Sequence, residues 1–361
     1  MEDMEGLNGR VNPLFWKGKK VFLTGHTGFK GSWMSLWLQT MGAIVKGYSL
    51  EPNTQPNLFT EAKVAENMES EIGNIKDLEN LSTSMTAFNP DVLIHMAAQP
   101  LVRLSYQEPV DTYATNVMGT VNVLEAARKC SNLKAIVSVT TDKCYENKEW
   151  DWGYRENEAM GGHDPYSSSK GCAELVTASY RRSFFNTAAS ASLASARAGN
   201  VIGGGDWADD RLIPDILRAF EKSEAVVIRN PLSTRPWQHV LEPIAGYLVL
   251  AENLYIHGDV FAEAWNFGPK EEDCKPVSWI LDKMVIRWGK GASWNLDTNT
   301  NPHEAGFLKL DCSKAGNRLK WQPKWTLDES LRLIIDWHQN YLSGHDVKKD
   351  CLKEINKYSS Q

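Results

Sequence analysis

Several features that would point to a specialised protein are missing from this chain. Its six cysteines, at positions 130, 144, 172, 274, 312 and 351, form no Cys-x-x-Cys pair and no metal-ligand spacing with histidine. That excludes a zinc ribbon and offers no disulfide framework. No apolar run approaches the roughly 20 residues needed to span a bilayer. The stretch Met1 to Arg10 is acidic and polar and lacks the apolar centre of a signal peptide. Basic residues are not in excess either: the formal charge is −6, which argues against nucleic acid or an anionic membrane as the main partner. No repeat or low-complexity segment is evident. The expectation is a reduced, cytoplasmic protein without a metal, with room for a local basic site for a phosphorylated small molecule.

What is present is a strand-and-helix alternation long enough for one large or two modest domains. Lys20 to Thr24 reads as a buried strand, Trp33 to Met41 as a helix stopped by Gly42, and Ala43 to Tyr48 as the next strand. Leu78 to Ala87 is a helix and Asp91 to His95 a strand running into Met96-Ala97-Ala98-Gln99. Thr115 to Arg128 is a helix with its apolar face at Val117, Val121 and Leu124. Ala135 to Val139 is a strand ahead of Thr140-Thr141-Asp142-Lys143, and Pro165 to Phe184 is a long helix. This order predicts an α/β fold, a doubly wound parallel sheet of the Rossmann type with a smaller, interleaved α/β substrate-binding domain. The expected boundaries are 14–198 for dinucleotide binding, with sheet elements returning around 236–262. Residues 199–235 and 263–343 form the substrate portion, and 1–13 and 344–361 are tails. Most of the 14 tryptophans are expected as packing.

Gly25, Gly28 and Gly31 follow the first strand with the spacing Gly-x-x-Gly-x-x-Gly. The first glycine permits a tight turn, the second lets the backbone approach a pyrophosphate, and the third lets helix and strand pack closely. The helix N-terminus behind them offers unpaired N–H groups to phosphate. The end of the second strand, Gly47-Tyr48-Ser49-Leu50, has neither a carboxylate for ribose hydroxyls nor an arginine for a 2′-phosphate, although Glu51 follows. Lys30, where an apolar residue is commoner, either touches a phosphate or is solvated.

About 140 residues on, Tyr166 and Lys170 are spaced by four, on one face of the long helix. An ammonium beside a phenol favours the phenolate, so Tyr166 is expected to act as a base near neutral pH. Thr141, closing a strand, is placed to hydrogen-bond the substrate oxygen that Tyr166 deprotonates. Glycine loop and Tyr/Lys pair together indicate a nicotinamide enzyme.

The blocks Thr24-Gly25-x-x-Gly28-x-x-Gly31, Ala97-Ala98-Gln99, Asn116-Val117-x-Gly119-Thr120 and Tyr166-x-x-x-Lys170 resemble an extended short-chain dehydrogenase/reductase over about residues 14–343. Thr141-Asp142-Lys143 stands where the sugar-nucleotide 4,6-dehydratases of that family carry Thr-Asp-Glu. The lysine departs from most of them but is similar to the branch that acts on CDP-glucose. Gly25 to Trp33, Asn200 to Trp207 and Arg235 to Pro243 resemble that branch too.

The resemblance implies bound NAD held by Gly25, His26, Thr27, Gly28, Phe29, Lys30, Gly31, Asn74, Ala97, Ala98, Gln99, Asn116, Tyr166 and Lys170. It implies Thr141, Asp142, Lys143, Tyr166 and Lys170 as the catalytic set, with Asp142 as a buried, protonated acid. Lys143 is either the base at C5 or a residue that orients Asp142 or the sugar. Asn200, Arg211, Arg235, Trp237 and His239 are the expected substrate-binding residues, the arginines for the diphosphate. Trp207 and Trp237 either stack on the ligand or belong to the core, and His239 reads as structural sooner than catalytic. The family further implies a homodimer through the Tyr/Lys helix and a deoxysugar for a cell-surface polysaccharide such as lipopolysaccharide O-antigen.

Overall fold

The computed structural model describes residues 8–289, 291–297 and 306–361. Residues 1–7 of the expected N-terminal tail, and 290 and 298–305 of the expected substrate portion, lie outside them. The described strands are β1 (Lys20–Thr24), β2 (Ile44–Ser49), β3 (Glu69–Ile72), β4 (Val92–His95), β5 (Ala135–Val139) and β6 (Ser192–Ala198). They continue with β7 (Asn200–Ile202), β8 (Ala225–Ile228), β9 (Thr234–His239), β10 (Ala264–Phe267), β11 (Cys274–Pro276) and β12 (Ser293–Leu296).

Seven of these form one parallel sheet in the order β10-β6-β5-β4-β1-β2-β3. Strands β4, β5 and β6 are buried at every position, as the middle of a sheet covered on both faces requires. The edge strand β3 is instead half-exposed, and its Glu69 and Glu71 pair with Lys46 of β2. The chain reverses its direction of growth between β1 and β4, and a doubly wound sheet opens a ligand crevice at such a switch point. A three-stranded sheet, β11-β9-β7, and the pair β12-β8 build the smaller portion over the carboxyl ends. No helix among the described residues is long and apolar enough to cross a membrane.

Most elements coincide with the sequence reading, and four differ. The first helix starts at Phe29, directly from Gly28, because the glycine loop is its N-terminus. The Thr115 to Arg128 segment contains a wide turn, Ala114–Met118, ahead of Gly119–Ala127. The extra residue in that turn rotates the stripe, so Asn116, Thr120, Val123, Leu124 and Ala127 are buried while Val117 and Val121 are only partly so. The strand that returns to the main sheet is β10, not an element at 236–262. That interval contributes the end of β9 and the buried helix Leu241–His257.

Residues 344–361 are not a tail. Asp346 accepts a hydrogen bond from the Lys349 N–H and starts the helix Val347–Ser359, which buries Val347, Cys351, Ile355 and Tyr358. The Tyr358 hydroxyl donates to Glu242, and its ring meets Trp37 and Trp325 edge-on. At the other end, Trp16 is fully buried and donates from its indole to Glu252.

Candidate active site

One cleft of about 750 Å³ runs from the glycine loop along the strand ends to the smaller portion. Its floor begins where β1 turns at Gly25, whose φ of +79° suits glycine and whose added Cβ would lie 2.8 Å from the Ala97 nitrogen. A Cβ on Gly31 would sit 2.0 Å from the Gly25 carbonyl oxygen, so helix Phe29–Thr40 lies directly on the turn. Gly28 caps that helix with no side chain on its first N–H groups. The Thr27 hydroxyl donates to Leu50 O at 2.8 Å and meets the Ser49 hydroxyl at 2.9 Å, tying the loop to the end of β2. Phe29, Asn74, Ala97 and Ala98 also line the cleft. A close backbone turn with open N–H groups and small wall residues fits a dinucleotide diphosphate.

Three of the residues expected on the cofactor stand behind the wall instead. His26 is fully buried, its Nε2 2.7 Å from the Ser70 hydroxyl and its ring against Gly47 and Phe59. Burial lowers it to about 4, so it is neutral. Gln99 turns back to Thr112 and Leu101. Asn116 accepts from the Gln99 N–H and donates to Ser169 and the Gln99 carbonyl, joining the Ala-Ala-Gln loop to the Tyr/Lys helix. Gln99 and Asn116 satisfy backbone groups that an irregular loop would leave unpaired.

Lys30 lines the cleft, partly buried, and among the described residues no carboxylate is in hydrogen-bond contact with it. Its Nζ lies 3.5 Å from the Tyr247 hydroxyl. Desolvation, then the charges of Arg211 and Lys170, lower it to about 7.

The reactive groups come from two adjacent elements. Thr141, Asp142 and Lys143 occupy the turn that closes β5. Tyr166 and Lys170 come from helix Pro165–Ser183, whose first turn is fixed by Asp164 accepting from the Ser167 N–H at 2.9 Å. Thr141 donates to Asp142 Oδ1 at 3.0 Å, while Asp142 Oδ2 is buried without a hydrogen-bond partner among the described residues. Burial raises the Asp142 carboxyl, with Lys143 foremost among the groups opposing it. Lys143 Nζ stands 5.9 Å from the centre of the Tyr166 ring.

In the protein alone Tyr166 is not held as the expected phenolate. Burial pushes Tyr166 up to about 12, against a hydrogen bond with Thr141 and the Arg211 charge. Lys170, lowered to about 8 chiefly by burial, donates to Val139 O at 3.4 Å. The protein by itself therefore holds a neutral phenol beside a weakened ammonium.

At the far end, Asn200, Arg211, Arg235 and Trp237 all line the cleft, as does Trp207. Arg211 is held by Asp206 at 3.1 Å, and Arg235 donates to the Thr234 carbonyl at 3.0 Å. Trp237 is also a member of the core of the smaller portion, so both alternatives for it hold at once. His239 does not reach the cleft. It is fully buried between Trp33 and Trp325, with Nε2 3.3 Å from Glu354 of the C-terminal helix. Tyr247 and Arg103 were not foreseen; Arg103, in the cleft wall, pairs with Asp210 at 2.6 Å. Neither has a local sequence signal, because both matter only through partners over 100 residues away.

This geometry defines the class: a doubly wound dinucleotide enzyme with a Thr/Tyr/Lys set facing a basic second half of its cleft. The chain belongs to the GDP-mannose 4,6-dehydratase family, whose model matches residues 22–334. It is 59% identical over 354 residues to a CDP-glucose 4,6-dehydratase of Salmonella typhimurium, covering 97% of this chain and 99% of that one. The dTDP-glucose 4,6-dehydratase of Bacillus anthracis, solved in complex with NAD, has the same fold. Its TM-score is 0.74 at 21% identity, over 91% of this chain and 99% of that one. The UDP-glucose 4-epimerase of Thermotoga maritima superposes with a TM-score of 0.76 at 21% identity, over 90% and 99%.

Proposed function

We propose that this chain is an NAD-dependent nucleotide-sugar 4,6-dehydratase. Its substrate is CDP-D-glucose and its products are CDP-4-keto-6-deoxy-D-glucose and water. The observation that carries the chemistry is the buried Asp142 carboxyl beside Thr141 and Tyr166 in the cleft that also holds the glycine cradle. The cytidine preference rests on the 59% identity to the Salmonella enzyme.

Gly25, Gly28 and Gly31 would hold the diphosphate of NAD, Ala97 and Ala98 its wall, and Lys170 its nicotinamide ribose. Bound there, NAD supplies the hydride acceptor at C4 of the sugar and the hydride donor at C6. Thr141 and Tyr166 would bind the C4 oxygen; Tyr166, a neutral phenol in the protein alone, would take its proton as the phenolate, the form that the positive charge of a bound nicotinamide favours. A 4-keto group acidifies the C5 proton. Asp142 and Lys143 would carry the elimination: Lys143 would accept the proton from C5, and Asp142, whose neutral form burial favours, would deliver one to the departing C6 hydroxyl, which leaves as water. Arg211, Arg235 and Asn200 hold the substrate diphosphate.

Leu175 on the Tyr/Lys helix and Phe184 just after it, with Val110 and Met118 on the preceding helical segments, are exposed apolar residues. A second copy of the chain covering them gives the homodimer, which light scattering would read directly; a monomer would remove this part. A reducing, cytoplasmic setting is consistent with the free cysteines.

The deciding experiment is mass spectrometry of CDP-, dTDP-, UDP- and GDP-hexoses incubated with the protein and NAD+. Loss of one water from CDP-glucose alone is the expected result. Isomerisation without mass change would make it a 4-epimerase, and unchanged sugars throughout would end the catalytic reading.

A further inference from the structure

Tyr166, Lys170 and Glu174 are spaced by four along helix Pro165–Ser183, so they share one face, and all three are buried. Glu174 does not reach the cleft. Its Oε1 accepts from the Thr140 hydroxyl, and its Oε2 accepts from Ser195 at 2.7 Å and from Arg197 Nη2 at 2.8 Å. Arg197 Nη1 donates to the Tyr145 hydroxyl at 2.7 Å and to the Glu156 carbonyl at 3.1 Å. The Tyr145 hydroxyl in turn donates to Asn266 of β10 at 2.7 Å. Thr140 and Tyr145 bracket Thr141 to Cys144, so both ends of the reactive turn are fastened to one ion pair.

We infer that Glu174 is a positioning residue for the reaction: with Arg197 it clamps the turn carrying Thr141, Asp142 and Lys143, and it places a fixed negative charge one helical turn beyond Lys170. What the clamped groups do rests on the dehydratase reading above; the clamp and its charge do not.

Stability alone is a poor reason for this arrangement, because a buried ion pair gains little over apolar side chains of the same volume. What apolar residues cannot supply is a charge at a set place. Burial works against the Glu174 carboxylate, yet the Arg197 charge and hydrogen bonds from Arg197, Thr140 and Ser195 bring it below its ordinary value. It is therefore ionised, and it is foremost among the groups that support the Lys170 ammonium against burial, ahead of Cys144. The other titratable groups about Lys170 act differently. Lys30 on the glycine-loop helix repels it, and His95 at the end of β4 is kept neutral, at about 3, by burial and by Lys170 itself. Tyr166 on the same helix is a neutral phenol, Asp142 on the turn is raised towards its neutral form, and the Arg197 charge stands beyond Glu174.

The test is Glu174→Gln, which keeps size and hydrogen-bonding capacity and removes the charge. Lys170 is followed by NMR in protein labelled with ¹³C at lysine Cε, its resonance assigned by its loss in Lys170→Met. Without the carboxylate the ammonium gives up its proton at lower pH. The expected result is a midpoint lowered by about one pH unit, with the alkaline limb of kcat moving down equally and the KM for CDP-glucose changing less than about threefold. A second variant, Glu174→Gln with Arg197→Met, removes the unpaired arginine and any folding defect it causes. Its melting temperature should return towards that of the parent while the alkaline limb stays displaced. Recovery of the parental limb in the double variant, or an unmoved Lys170 midpoint in folded Glu174→Gln, overturns the inference. A lowered Lys170 midpoint in Glu174→Gln, when the parent protein is itself inactive on CDP-glucose, would support the inference and refute the dehydratase reading.

Discussion

Replacing Gly31 by alanine is expected to be far more damaging than replacing Gly28, although the two are equivalent in the glycine pattern. A Cβ at Gly31 would lie 2.0 Å from the Gly25 oxygen and 2.8 Å from both the Gly25 carbonyl carbon and the His26 Cα. All three are backbone atoms of a turn whose other side is closed by Ala97, so no flexible side chain can yield. Ordinary contact begins near 3.4 Å, and helix Phe29–Thr40 would have to move off the turn by more than an ångström. Overpacking of a rigid site costs roughly 1–3 kcal/mol, and an obstruction made of backbone belongs at or above the top of that range. A Cβ at Gly28 meets only the Gly25 oxygen, at 3.5 Å, which is ordinary contact. For a chain of this length about 1 kcal/mol corresponds to roughly 1–2 °C in melting temperature. Gly31→Ala should therefore melt at least about 4 °C below the parent and lose affinity for NAD+ in calorimetric titration. Gly28→Ala should stay within about 1 °C. Equal melting temperatures for the two variants would refute the reasoning, because they would show that the helix does not rest on the turn.

Three further outcomes follow from other parts of the molecule. Asp142→Asn keeps the side-chain shape but removes the acid, so kcat should fall about 10²–10⁴-fold with binding of CDP-glucose retained; a loss under tenfold assigns the proton elsewhere. Glu252, buried against Trp16 and the Asn12 N–H, is raised to about 7, chiefly by desolvation. The fold thus favours its neutral form, and that contribution is complete below pH 4.5 and lost as pH rises to 7. Glu252→Gln should flatten the pH dependence of denaturant stability across that window and add about 1–3 kcal/mol at pH 8; an unchanged slope would show that the carboxyl ionises normally. Tyr358→Ala removes a buried ring and a hydrogen bond to Glu242 and should cost about 3–5 kcal/mol by chemical denaturation. A shift under 1 kcal/mol would mean that the C-terminal helix is not part of the cooperative core.

Short-range rules make some of this protein legible from its residues alone. The strand Lys20–Thr24, the glycine turn after it and the helix Pro165–Ser183 with its Asp164 cap depend on periodicity, backbone freedom and local hydrogen bonds. These act within a few residues. The same rules would have found the C-terminal helix, since Val347, Cys351, Ile355 and Tyr358 keep helical spacing. The lysines and acids between them gave that segment the look of a solvated tail.

Only the tertiary structure decided which side chains of a motif reach the cleft. His26, Gln99, Asn116 and His239 belong to blocks that mark the site, yet each is turned away towards a residue elsewhere in the fold. Tyr166 carries the right neighbour at the right spacing, but its proton affinity is governed by burial, which no spacing reports. Glu174 gains its meaning from Arg197, 23 residues on, and from Thr140, 34 residues back. Direction, burial and charge balance are sums over contacts distant in sequence, and they exist once the sheet has brought β5, β6 and β10 side by side.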